Sequence, residues 1–143
     1  MIPLLAAAAF ACPSIDAELE RATTALVSGD PALSRAALAE ADAALACAPL
    51  SAQQLALFLS AHPGWSVLGG KLTRRFQLPG FLAAVAFVQR VADIAEAHGH
   101  HPDIDIRYRD VTLAVNTHDA GGALTEKDTR LATACDAAAA ALA

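Results

Sequence analysis

Four histidines lie close together in the second half of the chain and could carry out proton transfer. His98, His100 and His101 fall within four positions, Glu96 precedes them, and His118 follows. Histidine has an ordinary pKa of about 6.5, so its ring both donates and accepts a proton near neutral pH. Two or three imidazoles on one pocket wall suit general acid–base catalysis that needs neither a metal nor a covalent intermediate. The stretch therefore predicts an active site of this kind.

A longer motif surrounds these histidines. E-x-x-x-H-H-P spans residues 96–102, the aromatic Tyr108 follows six residues later, and T-H-D-x-G-G-x-L-T-E-x-D spans residues 117–128. The upstream part of the pattern consists of L-S-A-Q-Q at 50–54, P-G-W at 63–65 and Phe76. Over about residues 50–142 the combined pattern resembles the pterin-4a-carbinolamine dehydratase family.

The resemblance implies both a reaction and a role for each motif residue. The reaction is dehydration of 4a-hydroxytetrahydropterin to quinonoid dihydropterin, which recycles tetrahydrobiopterin after aromatic amino-acid hydroxylation. His100 and His118 are then the acid–base pair, in either order, and His101 binds the pterin and stabilises developing charge. Glu96 orients a histidine through a hydrogen bond, and Pro102 restricts the backbone that places the histidines.

Asp128 also belongs to the motif, but a structural role explains it. Thr125 and Asp128 have the spacing of a capping box, in which two side chains satisfy backbone N–H groups at a helix start. We therefore expect Asp128 to begin the last helix without contacting substrate.

A metal site is the alternative explanation for the histidines. His98, His100 and His101 could hold Zn²⁺ or Ni²⁺ together with His118. The first three would converge only if the helix end unwound, and no cysteine or second carboxylate assists them. We therefore expect neither a metal nor a bound cofactor.

Bulk composition limits the partners and the location of the protein. The chain has 143 residues and a net charge of −5, so the phosphates of nucleic acid are a poor direct partner. No apolar run reaches the roughly 18–20 residues that a membrane span needs. Residues 1–11 are apolar without the basic start of a secretory signal, so we expect a cytoplasmic protein. The alternative is export, with residues 1–11 as an atypical signal and a Cys12–Cys47 disulfide.

The first third of the chain has no chemical motif. Apolar residues at helical spacing predict helices over residues 14–28 and from the Ser28–Pro31 turn to about residue 46, which together form a helical hairpin. Ala48-Pro49 marks a boundary. We divide the chain into residues 1–48, a hairpin that serves as packing or partner surface, and residues 49–143, a dehydratase-like domain.

The second part alternates between helical and strand patterns. A capping box at Ser51 and Gln54 opens a helix that ends before His62, which we expect to be solvated. The period becomes two from Trp65, and Gly69-Gly70 is predicted as a hairpin turn. We predict a core role for Trp65 and Cys135. The next predicted elements are a helix from Pro79-Gly80 to about His98 and a half-buried strand over 104–109. They are followed by a strand over 111–118 ending at His118, a flexible connector at 120–123, and a helix from Thr125.

These elements predict an α+β fold. Strand pairs with polar alternation indicate an antiparallel sheet with helices on one face. The family's fold, a four-stranded antiparallel sheet with three helices, agrees, and the N-terminal hairpin is added to it. The resemblance also implies a homodimer or homotetramer formed through sheet edges and helices.

A non-catalytic role is the second hypothesis. The family that the chain resembles includes proteins of the same fold that act as a dimerisation cofactor of a transcription factor or as assembly factors. Such a role needs the helix surface and not the histidines. The presence of His100, His101 and His118 favours the enzyme, whereas the added hairpin favours a binding role.

Overall fold

The computed structural model of the chain describes Cys12 and residues 15–143, apart from the side chain of Ile15. It separates into two compact units, residues 1–48 and residues 49–143. The hypothesis that residues 1–11 form an atypical signal lies outside the described residues. Within the described part, none of the helices has the length and apolar character needed to cross a membrane.

The first unit is the expected helical hairpin. Helix α1 spans Ile15–Ser28 and helix α2 spans Pro31–Ala46. Asp30 caps α2, because its side chain accepts the backbone N–H of Ala32 at 2.8 Å. A disulfide joins Cys12 and Cys47, whose Cα atoms are 5.5 Å apart.

The second unit contains the sheet and three further helices. The elements in chain order are α3 (Ala52–Ala61), β1 (Ser66–Leu68), β2 (Lys71–Gln77), α4 (Phe81–His98), β3 (Asp103–Arg107), β4 (Asp110–Val115) and α5 (Glu126–Ala140). The four strands pair antiparallel in the order β1-β2-β4-β3. The α+β prediction with a four-stranded antiparallel sheet is therefore confirmed.

The core lies between the sheet and the helices. Alternate residues of β2 and β4 are buried because successive strand side chains point to opposite faces. They pack against the buried sides of α4 and α5, and side chains of α3 cover the same cluster. The largest fully buried side chains of this core are Phe87, Leu72, Leu113, Leu131, Val91, Val111 and Val115.

The predicted half-buried strand over 104–109 is wrong in two respects. Strand β3 is exposed along its whole length, and even Ile104 and Ile106 are 40% and 39% exposed. The reason is its position at the edge of the sheet, where β4 is its one neighbour. Tyr108 lies beyond the strand, in a turn at φ 54°, and is 72% exposed.

The expectation that His62 is solvated is also wrong. His62 is half-buried at the end of α3, and its ring stacks on Phe58 with 4.3 Å between ring centroids. Its Nδ1 lies 3.1 Å from Asp136 Oδ2. Trp65 Nε1 and an Arg74 guanidinium N–H both donate to Asp136 Oδ1 at 2.8 Å. This cluster ties α5 to the segment before β1, and the core role predicted for Trp65 is confirmed.

Candidate active site

The end of α4 positions the histidine pair. Gly99 follows the helix at φ 57°, in the left-handed region where glycine is favoured. The N–H of His100 donates to the carbonyl of Ala95 at 3.1 Å, and the N–H of Gly99 donates to that of Glu96 at 3.2 Å. These two bonds form a Schellman motif, which satisfies carbonyls at the helix end and turns the chain sharply. The backbone therefore leaves the helix at Gly99, and His100 is held directly after that turn.

The start of α5 positions a carboxylate. The predicted capping box is present, with Thr125 as the N-cap and Asp128 as its reciprocal partner. The backbone N–H of Thr125 donates to Asp128 Oδ2 at 2.8 Å, and that of Lys127 donates to Thr125 Oγ1 at 3.2 Å. Asp128 is nevertheless more than a cap, because its second oxygen faces a histidine.

His100 and Asp128 form a buried pair. His100 Nε2 lies 2.6 Å from Asp128 Oδ1. Asp128 is fully buried, and His100 is 8% exposed. A buried carboxylate is costly unless it is paired and hydrogen-bonded, and this one has partners on both oxygens. The pair joins residues that are 28 positions apart in the sequence.

Thr117 completes the surroundings of Asp128. Its hydroxyl donates to Asp128 Oδ2 at 2.9 Å and lies 2.8 Å from the hydroxyl of Thr125. Both threonines are buried. The sequence contains a signal for Thr117, since it continues the buried alternation of Val111 to Val115 and places a polar group on the core side.

His101 and Glu96 form a second pair at the surface. His101 Nε2 lies 2.7 Å from Glu96 Oε1, and both side chains are exposed. Pro102 follows and is half-buried. The expected hydrogen bond from Glu96 to a histidine is therefore present, and the histidine is His101.

His118 does not end a strand. Strand β4 stops at Val115, and His118 begins a short 3₁₀ turn, His118–Ala120, with its side chain exposed. The chain turns because the Thr117 N–H donates to the Ala123 carbonyl at 3.0 Å and Gly121 adopts φ 68°. The connector at 120–123 is therefore a hydrogen-bonded turn, and its flexibility stays a prediction.

Among the described residues, no group of three or more His, Cys, Asp or Glu side chains is placed to hold a metal ion. His98 is exposed at the last position of α4 and takes part in neither carboxylate pair. The arrangement therefore contains two imidazoles, each with one ring nitrogen next to a carboxylate oxygen. A third imidazole, that of His118, is exposed to solvent.

Known families and proteins match the second unit of the chain. A model of the pterin 4 alpha carbinolamine dehydratase family matches residues 48–138. A Chloroflexus aurantiacus protein named "putative pterin-4-alpha-carbinolamine dehydratase" is 56% identical over 87 residues, which are 61% of this chain and 92% of that protein. A Streptomyces coelicolor protein of the same name is 49% identical over 84 residues, which are 59% of this chain and 83% of that protein.

A solved structure has the same fold. The crystal structure of a transcriptional coactivator/pterin dehydratase from Brucella melitensis matches with a TM-score of 0.60 and 30% sequence identity. The match covers 64% of this chain and 99% of that one. Since the family match covers well over half of the residues, the chain belongs to the pterin 4 alpha carbinolamine dehydratase family.

Proposed function

We propose that the chain dehydrates 4a-hydroxytetrahydropterins with His100 and His118 as its acid–base pair. The observation that carries this proposal is the buried contact between His100 Nε2 and Asp128 Oδ1 in a chain of this family. When one imidazole nitrogen is held by a carboxylate, the orientation of the ring and its neutral tautomer are fixed. In His100 the nitrogen without a hydrogen-bond partner among the described residues is Nδ1.

The reaction needs one proton donor and one proton acceptor. The bond between C4a and its hydroxyl oxygen breaks, and an imidazolium protonates that oxygen so that it leaves as water. An imidazole accepts the proton from ring nitrogen N5, and the electron pair of that N–H bond forms the N5=C4a double bond. The step is a redox-neutral elimination, and acid–base help of this kind is worth typically about 10²–10⁴-fold.

Each motif residue has a place in this reaction. His100 and His118 act on the hydroxyl and on N5, in either order. His101 is exposed and held by Glu96, which suits a residue that binds the pterin. Pro102 restricts the backbone directly after His100 and His101. Asp128 is fully buried, so it acts through His100 and not on substrate.

A stopped-flow ultraviolet assay with chemically made 4a-hydroxytetrahydropterin tests the proposal. We expect His100→Ala and His118→Ala each to lower kcat by about 10²–10⁴-fold with the fold retained. His98→Ala is the matched control, because His98 is an exposed histidine outside the motif. A double variant at position 100 and position 118 that runs at full rate would disprove the assignment, and a wild type without activity would disprove the function.

We also propose a homo-oligomer. Strand β3 offers an edge without a strand partner in the described chain, and α4 exposes Phe81, Leu82 and Val85. Exposed strand edges and apolar patches are typical sites of association. These two features support a homodimer or homotetramer.

Binding of another protein is a second candidate function. The Brucella protein named above is described as a coactivator as well as a dehydratase. In this chain, the hairpin outside the family match exposes several large apolar side chains, which are Leu19, Leu26, Val27, Leu33, Leu38 and Leu45. Exposed apolar surface of this extent favours a partner. The histidines have no part in such a role.

A further inference from the structure

We propose that Thr117 is a positioning residue which holds His100 in the tautomer protonated on Nε2. Its hydroxyl does so through Asp128, with the hydroxyl of Thr125 behind it. This role rests on the dehydratase function proposed above, because it leaves Nδ1 as the nitrogen of His100 that acts on the substrate.

The direction of each hydrogen bond follows from the available donors and acceptors. Thr125 Oγ1 already accepts the backbone N–H of Lys127. The hydroxyl of Thr117 has a carboxylate oxygen within 2.9 Å, which is a stronger acceptor than a second hydroxyl. Thr117 therefore donates to Asp128, and Thr125 donates to Thr117. The two hydroxyls form a buried chain that ends on the carboxylate.

The hydroxyl chain determines where the proton between Asp128 and His100 resides. Asp128 Oδ2 receives two donors, the Thr117 hydroxyl and the Thr125 backbone N–H. Because both donors point at Oδ2, that oxygen carries no proton and acts only as an acceptor. An ionised Asp128 accepts only, so the short contact with His100 requires a proton on Nε2. Nδ1 is then the nitrogen that gains or loses a proton during turnover.

Thr117 also links the two catalytic candidates in space. It directly precedes His118, and its carbonyl accepts the N–H groups of Ala120 and Gly122 at 3.1 and 3.0 Å. The same residue therefore holds Asp128 through its side chain and the His118 turn through its backbone. A substitution that keeps the shape but removes the hydroxyl separates these two contributions.

The decisive measurement is the tautomer of His100 in the full chain, read from ¹H–¹⁵N correlations of its ring nitrogens. We expect the wild type to carry the proton on Nε2, and Thr117→Val to show a measurable population protonated on Nδ1 when the ring is neutral. We expect kcat of Thr117→Val to fall about tenfold with KM unchanged, the effect of losing one hydrogen bond of about 1.4 kcal/mol. Thr117→Ser restores both readouts.

Controls keep the outcomes distinct. Thr133→Val is the matched exchange, because its exposed hydroxyl donates to a backbone carbonyl of the same helix. A folded Thr117→Val with Nε2 protonated as in wild type and unchanged kcat would overturn the proposal. If that variant does not fold, a wild-type His100 protonated on Nδ1 overturns it and one protonated on Nε2 supports it. The ring spectrum does not need turnover, so it separates failure of this inference from failure of the dehydratase assignment.

Discussion

Asp128 serves two partners with its two oxygens. Oδ2 caps the start of α5 through the Thr125 N–H, whereas Oδ1 contacts His100. A helix cap contributes about 0.5–2 kcal/mol, and a buried carboxylate that loses a partner costs more. In the proposed mechanism, both the stability of the helix start and the placement of His100 therefore depend on one side chain. A substitution at Asp128 changes both, which is why substitutions at Thr117 separate them better.

Cys135 yields a prediction at the same scale. Burial, and then the nearby charge of Asp136, raise the pKa of its thiol to about 12. Between about pH 9 and pH 12 the thiol of Cys135 therefore stays protonated in the folded protein, whereas it loses its proton in the unfolded chain. We expect the unfolding free energy to fall as pH rises through that range, because the unfolded state is then favoured by proton release. Denaturant titrations at several pH values measure this.

A thiol reagent provides the direct check on Cys135. With Cys12 and Cys47 joined, Cys135 is the one remaining cysteine of three. We expect negligible labelling of the native chain at pH 8 and one thiol labelled in denaturant, because the thiolate is the reactive form. Rapid labelling under native conditions would contradict the burial of this side chain.

At the scale of elements, helix ends position most of the candidate site residues. The Schellman motif at the end of α4 aims His100, and the capping box at the start of α5 aims Asp128. The turn after β4 places His118. Each of these is a short hydrogen-bonded segment at the boundary of a rigid element. Sites built this way are held by backbone geometry as well as by side-chain packing.

Gly99→Ala tests this dependence on the end of α4. A left-handed residue with a side chain costs about 1–2 kcal/mol, so we expect a lower unfolding free energy and a several-fold fall in kcat as His100 shifts. Gly29→Ala is the matched control, since Gly29 has φ 73° and open space around it in the hairpin turn. It should lose similar stability in urea titrations without losing activity. Equal kcat for the two variants would argue against positioning by Gly99.

At the scale of the whole molecule, the hairpin is an addition to the dehydratase domain. The match to the Chloroflexus protein takes up 92% of that protein but 61% of this chain. The residues proposed for the site all lie in residues 49–143, and the site contacts described above stay within that unit. The proposed site therefore lies entirely within residues 49–143.

Removal of residues 1–48 should separate catalysis from partner binding. We expect residues 49–143 to keep kcat within about twofold, because the core and every site contact remain. We expect proteins captured by the full chain in a pull-down to be lost. Loss of activity in a truncated protein that retains its circular dichroism spectrum would show that the hairpin contributes to the site. Capture that persists would place the partner surface in residues 49–143.

Much of the fold is local and could be predicted. The capping boxes at Ser51 and Thr125 and the glycine that ends α4 act over a few residues, so their sequence signals were sufficient. The burial of alternate residues in β4 follows from strand geometry. The predictions failed where neighbours in space decide, as for the exposed β3 and the half-buried His62.

The sequence by itself determined the family, the order of elements and the group of histidines, because each depends on residue types at short spacing. The tertiary structure alone decided the carboxylate partners of His100 and His62. His100 pairs with Asp128 across 28 positions, and His62 pairs with Asp136 across 74. Such contacts depend on how α5 packs against the sheet and beside α4, and residue spacing does not encode that packing. The role proposed for the buried hydroxyl of Thr117 likewise depends on the carboxylate that the folded chain places beside it.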